Sequence, residues 1–450
     1  MTTPERPHLI VIYTDDLGYG DVGFLGPSDI ATPHLDALAA GGATMRRWYS
    51  NSPVCSPSRA ALLTGCHPSR AGVDHILGAP RGRDGLPPQP TLASRLADAG
   101  YATSMVGKWH LGTSESSSPR ALGFGSFFGF LAGCVDYYSH IMYWGDHHPI
   151  HDLWTGTQET WRNGEYLTTM ITDAAVQVID EVADDPMFLF VSYNAPHYPL
   201  HAPQEYVDRN AHLPEDRRMI AAMMSAVDDG VGEIVAALER QGIRDNTIIL
   251  FSSDNGPSAE ERNWLNGEEI AFAGGSAGGL RGHKGSLYEG GIRMPTLWSW
   301  PARITPGTQI TTCCQMSDVL PTVLDAAGIP PADQHVVDGS SVLDLLTGTK
   351  SEPEDRLLYW EYDGQTAVSD GTWKLVRNVR ERLGAPTVEK IGLYHLAVDE
   401  AETSNLYAAD HSEAVRLGAA LDDFETRLTG WQQQISQQGQ ELSPIPTAAP

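Results

Sequence analysis

The sequence predicts an α/β fold, in which a large and mostly parallel sheet is flanked by helices and a smaller C-terminal antiparallel sheet with a helix follows. Four short runs rich in β-branched and aromatic residues predict the main strands: His8–Thr14, Ala102–Val106, Met187–Tyr193 and Thr247–Ser253. Unbroken apolar runs of this length are typical of strands that are buried on both faces of a parallel sheet. Helical segments lie between the runs, which is the alternation of a doubly wound sheet.

The helices are predicted from their first and last residues. Thr32 is a good N-cap and Pro33 fits the first helical position, so a helix is expected over His34–Ala40. Glycines are typical of the position just beyond a helix, as Gly100 and Gly242 are here. Three further helices are predicted at Leu92–Ala99, Thr168–Val182 and Glu215–Gln241.

The pattern changes after about residue 350. Short strands separated by turns are predicted at Leu357–Tyr362, Thr366–Ser369, Trp373–Val376 and Leu393–Leu396. A helix is expected at Glu413–Leu428, and Gly430 is predicted to end it. The chain is therefore divided into a main α/β domain (1–350), a C-terminal antiparallel subdomain with a helix (351–437) and a flexible tail (438–450).

Composition excludes several classes of function. The chain of 450 residues has 57 acidic and 30 basic side chains, a net charge of −27, which argues against nucleic-acid and anionic-membrane partners. No apolar stretch is long enough for a transmembrane helix. The N-terminal apolar run ends in two aspartates without a cleavage site, so we expect a cytoplasmic protein, or a periplasmic one if a leader was removed. Five cysteines without metal-type spacing fit a reducing compartment.

Polar side chains follow each of the four main strands. The runs continue into Asp15-Asp16, Lys108-Trp109-His110, Asn194-Ala195-Pro196-His197 and Asp254-Asn255. Ligands of such sheets bind beyond the carboxyl ends of the strands. The aspartates and Asn255 carry oxygen ligands suited to Ca²⁺ or Mg²⁺, although Asp-Asn-Gly is equally a good turn sequence. A lone lysine or histidine at such a position is also compatible with a structural role.

Cys55 precedes a short helix predicted at Ser58–Leu63. Arg59, four residues later, would lie one turn away on the same face of that helix. A cation and a helix N-terminus beside a thiol favour anions at that place. A free cysteine is more often simply buried, so Cys55 alone does not identify a site.

Three longer segments carry a family resemblance: Pro53–Gly65, Gly100–His110 and Leu280–Pro295. They resemble sequences of the type I sulfatases, enzymes of alkaline-phosphatase-like fold. The resemblance implies hydrolysis of sulfate monoesters to an alcohol and sulfate. It also implies that a maturation enzyme oxidises Cys55 to formylglycine, whose hydrate is the reactive group. One divalent cation is implied as well, usually Ca²⁺, with Mg²⁺ or Mn²⁺ as alternatives.

The resemblance also implies roles for individual residues. The implied metal ligands are Asp15, Asp16, Asp254 and Asn255. The implied catalytic residues are Cys55, Arg59, Lys108, His110, His197 and Lys284. In this scheme Arg59, Lys108 and His110 hold the hydrate, one hydroxyl of which attacks sulfur. His197 protonates the leaving alcohol, Lys284 faces the sulfate, and His110 removes a proton so that sulfate is expelled.

Two other functions stay open at this stage. A phosphonate or phosphate ester hydrolase on the same scaffold must likewise offset the negative charge of its substrate. A catalytically silent anion-binding protein would leave Cys55 as a thiol. The alcohol part of the substrate is equally open among aryl, sugar and alkyl groups. The segment 137–151 is histidine-rich but lacks a zinc-site spacing, so we expect it to face the substrate through Tyr143 and Trp144. Trp161 and Trp264 are also candidates for the pocket.

Overall fold

The computed structural model describes residues 6–78, 85–142, 150–182, 185–259, 274–330, 337–349 and 356–441. The strands, numbered along the chain, are β1 (His8–Thr14), β2 (Ala43–Met45), β3 (Trp48–Tyr49), β4 (Ala102–Lys108), β5 (Ser126–Phe130), β6 (Ile141–Met142), β7 (Ile150–His151), β8 (Trp154–Thr155), β9 (Gln158–Glu159), β10 (Met187–Ser192), β11 (Thr247–Ser253), β12 (Thr296–Ser299), β13 (Thr308–Ile310), β14 (Cys314–Gln315), β15 (Leu358–Tyr362), β16 (Gln365–Ser369), β17 (Trp373–Arg380) and β18 (Thr387–His395). The α-helices are α1 (Pro33–Ala40), α2 (Cys55–Thr64), α3 (Pro68–Ala71), α4 (Leu92–Asp98), α5 (Leu167–Val182), α6 (Gln204–Arg209), α7 (Glu215–Arg240), α8 (Glu289–Ile292), α9 (Val319–Ala326), α10 (Leu343–Leu346) and α11 (Ser412–Glu441).

The large sheet is mixed and mostly parallel at its centre, as predicted. Its described strands have the order β13-β2-β12-β11-β1-β10-β4-β5-β8-β9. The five strands from β11 to β5 in that order run parallel, and the outer pairs β11–β12 and β5–β8 are antiparallel. The parallel centre of the sheet therefore consists of β5 and the four strands predicted from the sequence, and short strands are added on both sides of it.

Both faces of the central strands are buried. Leu9 and Val11 of β1 belong to one hydrophobic cluster, whereas Ile10 and Ile12 belong to a second cluster on the opposite face. Alternate residues of a strand point to opposite faces, so the apolar run of β1 fills two cores at once. This is the physical reason why the predicted strands lack a polar alternation.

The C-terminal subdomain is an antiparallel sheet of order β15-β16-β17-β18, as expected. One face carries α11, with Leu417 and Leu421 packed against Val368. The other face shares a core with the main domain, in which Trp360 packs with Tyr49. The predicted boundary at residue 350 lies outside the described residues.

The predicted end of the last helix at Gly430 is wrong, because α11 continues to Glu441. Trp431, the next residue, lies 6.3 Å from Phe424 and 5.8 Å from His67 between ring centroids, and this packing favours a helix that continues past the glycine. The helix therefore includes residues 438–441, which were assigned to the tail, and the remaining residues 442–450 lie outside the described part. Within the described residues no helix has the length and apolarity needed to cross a membrane.

Candidate active site

The carboxyl ends of adjacent strands bring the predicted site residues together. Strands β11, β1, β10 and β4 are neighbours in this order, so the loops that follow them meet at one edge of the sheet. The ten residues named from the sequence are each at most 5% exposed: Asp15, Asp16, Cys55, Arg59, Lys108, His110, His197, Asp254, Asn255 and Lys284. Burying so many charged groups costs free energy unless each charge is paired. The ion pairs among these side chains therefore determine how the site is arranged.

Cys55 is the first residue of α2, three residues earlier than the sequence predicted for this helix. Its Sγ lies 3.5 Å from Oδ1 of Asp15. Burial raises the pKa of the Cys55 thiol well above its ordinary value, and Lys108 and Lys284 only partly oppose this. The unmodified side chain is therefore a protonated thiol at neutral pH, which is a poor nucleophile.

Arg59 connects three strand ends from one turn further along α2. Its Nε and Nη2 donate to Oδ2 of Asp254 at 3.1 and 2.8 Å. Its Nη1 donates to Oγ of Ser192 at 2.7 Å and to the carbonyl of Lys108 at 3.2 Å. Ser192 was missed by the sequence reasoning, although it has the same signal as the other site residues, a polar side chain at the carboxyl end of an apolar run.

Two lysines pair with the two consecutive aspartates after β1. Lys108 forms a buried ion pair with Asp15. Lys284 donates to Asp16 at 2.9 Å. For Lys108, burial lowers the pKa, but Asp15, Cys55 and Asp254 together outweigh burial and leave the pKa above its ordinary value. The ammonium group therefore stays charged within the site.

Backbone carbonyls fix the tautomers of the two histidines. Nδ1 of His197 lies 2.7 Å from the carbonyl of Tyr198, and Nε2 of His110 lies 3.2 Å from the carbonyl of Leu77. A carbonyl only accepts, so these nitrogens carry the protons. The bare nitrogens are Nε2 of His197, which lies 3.7 Å from Oδ2 of Asp16, and Nδ1 of His110, which is buried without a hydrogen-bond partner among the described residues.

Both histidines are neutral in the resting site. Burial lowers the pKa of His110 well below its ordinary value, and Lys108 and Arg59 lower it further. Burial and Lys284 do the same to the pKa of His197. His110 thus presents a free base, whereas His197 needs the added negative charge of a bound anion before its Nε2 can carry a proton.

The oxygen donors of Asp15, Asp16 and Asn255 fit a hard divalent cation. One ligand atom each from Asp15, Asp16, Cys55 and His197 lie within 4.8 Å of one another. The side-chain oxygen of Asn255 is buried without a hydrogen-bond partner in the described part of the chain, while its amide nitrogen donates to Asp16 at 2.6 Å. A buried oxygen with no donor is what a cation would satisfy.

Asp254, also expected from the sequence to be a ligand, is not among the four residues whose ligand atoms lie within 4.8 Å of one another, and it is held differently from Asp15 and Asp16. One of its oxygens accepts from Arg59 and the other accepts from the backbone nitrogen of Asp16 at 3.2 Å. Burial, and next the Asp15 carboxylate, raise the pKa of Asp254 to about 6. A cation beside these carboxylates would relieve the repulsion that raises this pKa.

The loop that carries His197 rests on a residue that sequence reasoning did not find. The hydroxyl of Tyr137 lies 2.9 Å from the carbonyl of Asn194 and 2.8 Å from the carbonyl of His197. These are backbone acceptors, which leave no signal in the sequence. Of the tryptophans named for the pocket, Trp161 is described and exposed, whereas Trp144, Trp264 and the neighbouring Tyr143 lie outside the described residues.

Comparisons with known proteins place this fold and its buried set of acids, cations and histidines in a family of ester hydrolases. The family model "Sulfatase" matches residues 7–329, and the model "N-sulphoglucosamine sulphohydrolase, C-terminal" matches residues 282–427. The chain belongs to the type I sulfatase family, whose members are sulfuric ester hydrolases that generally use formylglycine and a metal ion.

Individual relatives agree with this assignment. The chain is 35% identical over 377 residues to arylsulfatase J of Mus musculus, an alignment that covers 82% of this chain and 60% of the relative. It is 32% identical over 408 residues to arylsulfatase A of Homo sapiens, an alignment that covers 83% of this chain and 75% of the relative. The crystal structure of Ps i-CgsB in complex with k-i-k-neocarrahexaose superposes with a TM-score of 0.81 at 29% identity, covering 95% of this chain and 93% of that one. The chain thus spans less than two thirds of the length of the first of these relatives and nearly all of the solved structure.

Proposed function

We propose that this protein hydrolyses sulfate monoesters to an alcohol and sulfate, using formylglycine made from Cys55 by a maturation enzyme and one divalent cation. Ca²⁺ is the proposed ion, with Mg²⁺ or Mn²⁺ as alternatives. The observation that carries the proposal is the position of Cys55, at the first turn of α2 and 3.5 Å from Asp15, inside the set of buried charges.

The charge balance of the site supports a cation. Three carboxylates, those of Asp15, Asp16 and Asp254, balance the positive side chains Arg59, Lys108 and Lys284. The protein's own groups therefore leave no excess positive charge for an anion in a chain whose net charge is −27. A divalent cation held by the three carboxylates and Asn255 would supply that excess and polarise the ester oxygens.

The chain's own groups around residue 55 are arranged to hold a negatively charged oxygen. Formylglycine, as its hydrate, would supply one oxygen to attack sulfur and a second oxygen whose deprotonation re-forms the aldehyde, so that sulfate leaves together with the first oxygen. The first turn of α2 offers backbone N–H groups and the positive end of its dipole at this position. The buried ammonium of Lys108 stabilises negative charge there without needing to reorganise, which is the main source of electrostatic catalysis.

The two histidines divide the proton transfers between them. Nδ1 of His110 is bare and its lowered pKa keeps the ring neutral, so this nitrogen is free to accept the proton from the second oxygen. Nε2 of His197 faces Asp16 and Lys284, and there we assign it the proton for the leaving alcohol. The anionic substrate itself raises the affinity of Nε2 for that proton.

A sugar is the proposed alcohol part of the substrate. Ps i-CgsB, the solved relative at 29% identity, was crystallised with an oligosaccharide, k-i-k-neocarrahexaose. Another relative, 32% identical over 390 residues, is the N-acetylgalactosamine-6-sulfatase of Mus musculus. Both names support a carbohydrate sulfate over an alkyl sulfate.

The experiment compares esters that share one leaving group. The sulfate, phosphate and phenylphosphonate esters of 4-nitrophenol are assayed with the wild type, with Cys55→Ala and with Cys66→Ala, which changes another buried cysteine. We expect the sulfate ester to have the highest kcat/KM, with activity lost only in Cys55→Ala. A higher kcat/KM for a phosphorus ester would establish the alternative activity, and unchanged activity of Cys55→Ala would refute the proposal.

A further inference from the structure

Two large apolar side chains are exposed in the described part of the main domain. They are Ile150, which is 55% exposed, and Trp161, which is 61% exposed. The other large apolar side chains that are exposed in the described residues belong to the C-terminal subdomain: Val388, Val398, Leu406, Tyr407 and Val415. Ile150 and Trp161 both lie in the segment that connects β5 to α5. Two exposed apolar side chains in one connection of the main domain make it a candidate binding surface.

The sheet topology places Trp161 at the same edge as the active site. Strand β5 runs parallel to β4, and β8 runs antiparallel to β5 with Trp154 opposite Gly129. Strand β9 turns back with Glu159 opposite Trp154, so the chain leaves β9 at the edge where β4 ends in Lys108. Strands β4 and β9 are three positions apart, which places the end of β9, two residues before Trp161, about 14 Å to the side of β4.

Contacts among described residues connect the two places. His110 packs against Gly133, where an added Cβ would lie 2.6 Å from Nε2 of the histidine. The backbone nitrogen of Ala132, the preceding residue, donates to Asp152 at 2.7 Å. The residue before Asp152 is His151, which contacts Trp161 directly. A series of contacts therefore connects His110 to the exposed indole of Trp161.

The indole of Trp161 is held flat with one face open. Its ring stacks on the ring of His151 with centroids 3.6 Å apart and planes at 8°. His151 is fixed in turn by Glu159, whose Oε1 lies 2.8 Å from its Nδ1. The side chain of His151 is only 4% exposed, so the solvent-exposed area of Trp161 belongs to the opposite face and the edge of the indole.

We propose that the open face of Trp161 binds a pyranose ring of a sulfated oligosaccharide, at a sugar unit beyond the one whose sulfate lies in the active site. This inference rests on the proposed sulfatase function and specifies its substrate class. A rigid indole provides contact area at low entropic cost, and a pyranose offers one apolar face to it. A chain of sugars is required because the platform lies further from the site than one ring extends.

The surroundings of the ring favour a sugar over a purely apolar alcohol. The carboxylate of Glu159 is 40% exposed beside the stack, and Thr160 follows it in the chain. Hydroxyl groups of a sugar can bond to such a polar rim while its apolar face covers the indole. A steryl or alkyl group would instead require a concave apolar pocket, and a single flat ring with polar neighbours does not provide one.

The test compares substrates of increasing length. Sulfated mono- and tetrasaccharides of the carrageenan and chondroitin types, together with 4-nitrophenyl sulfate, are assayed with the wild type, Trp161→Ala, Trp161→Phe and the control Val398→Ala. We expect the wild type to prefer one tetrasaccharide over its monosaccharide. Trp161→Ala should lower kcat/KM for that tetrasaccharide about three- to tenfold, mainly through KM, and leave 4-nitrophenyl sulfate unchanged. Trp161→Phe should retain part of the preference, and Val398→Ala all of it.

Several results would overturn the inference while the sulfatase function stands. These are an equal loss on 4-nitrophenyl sulfate, which would indicate a structural role, an unchanged tetrasaccharide preference in Trp161→Ala, and a wild type that cleaves the aryl sulfate but none of the oligosaccharides. A wild type with Cys55 fully converted that cleaves no sulfate ester at all would instead refute the proposed function, and the inference with it.

Discussion

Lys284 Nζ lies 2.9 Å from the carboxylate of Asp16, which joins two residues 268 positions apart in the chain. The same segment is fixed on both sides, since the backbone of Lys284 donates to the carbonyl of Pro257 at 3.0 Å and that of Gly285 donates to the carbonyl of Pro53 at 2.8 Å. It thus contacts the loop after β11 and the loop before α2. The third segment that resembles sulfatases, Leu280–Pro295, therefore holds the loop after β11 and the loop that leads to Cys55 against each other.

Removal of the cation should abolish activity. Because the three buried carboxylates already balance Arg59, Lys108 and Lys284, the positive charge that an anionic substrate needs would come from the cation, so chelation with EDTA should inactivate the enzyme and Ca²⁺ should restore it. Asp16→Asn should weaken Ca²⁺ binding, measured by calorimetry, and lower kcat by roughly 10- to 100-fold or more. The control Asp98→Asn changes an exposed aspartate of α4 and should have no effect. Full activity after complete removal of metal would contradict the proposed ligand set.

His197 and His110 should affect different steps. If His197 protonates the leaving alcohol, His197→Ala should lower kcat/KM by roughly 10²- to 10⁴-fold for a sugar sulfate and far less for 4-nitrophenyl sulfate, whose leaving group needs little protonation. His110→Ala should release the alcohol once and then stall with sulfate on residue 55. Single-turnover release of alcohol, with mass analysis of the Cys55 peptide, measures both. An equal loss across leaving groups for His197→Ala would remove it from the acid role.

Acid should destabilise the protein partly through His67. Burial lowers the pKa of His67 to about 4, where it packs on Phe424 at 5.1 Å between ring centroids. Because the unfolded chain binds this proton at its ordinary pKa of about 6.5, stability is intact above pH 6.5 and is lost as pH falls toward 4. Between pH 7 and pH 5 this amounts to about 2 kcal/mol.

Urea unfolding of the wild type and His67→Asn at the two pH values measures this contribution. The variant replaces a titrating side chain by a neutral one, so its stability should fall less on acidification, by about 2 kcal/mol. Other buried histidines change both proteins alike and cancel in the comparison. An identical pH dependence of the two proteins would show that His67 keeps an ordinary pKa.

The C-terminal subdomain should depend on a buried lysine. Lys374 Nζ lies 3.0 Å from both Glu289 of α8 and Glu402, and all three side chains are at most 1% exposed. Lys374→Met would leave Glu402 without its cation and Glu289 with only its longer ion pair to Arg293 (3.6 Å), at a cost of about 3–5 kcal/mol in the free energy of unfolding. The matched control is Lys390→Met, which changes an exposed lysine of β18. Equal stability of the two variants in urea would contradict the role of this ion cluster.

The sequence alone predicted the parts of the fold that local pattern determines. The bounds of β1 and β11 coincide with the predicted runs, because unbroken apolar runs between polar ends are fully buried strands. Short strands such as β2 (Ala43–Met45) were not predicted, since they form by pairing with β12 and β13 rather than from their own three residues. Gly430 shows the same limit, because tertiary packing of Trp431 overrides a local stop signal.

The site divides in the same way. Its charged side chains were all named from the sequence, since each follows an apolar run or lies in a segment that resembles the family. The contacts that fix the ring protons of His110 and His197 were not predicted, because the carbonyls of Leu77 and Tyr198 are backbone atoms. The exposed platform of Trp161 also depends on how β8 and β9 extend the sheet, which no local pattern of two-residue strands determines.

The mass of the peptide that contains Cys55 tests the central claim most directly. Conversion to formylglycine replaces the thiol by an aldehyde oxygen and makes the peptide lighter. Preparations with different converted fractions, made with and without a coexpressed maturation enzyme, are assayed in parallel on 4-nitrophenyl sulfate. We predict that specific activity rises in proportion to the converted fraction and extrapolates to zero without conversion. Full activity in a preparation whose Cys55 is entirely unmodified would contradict the account.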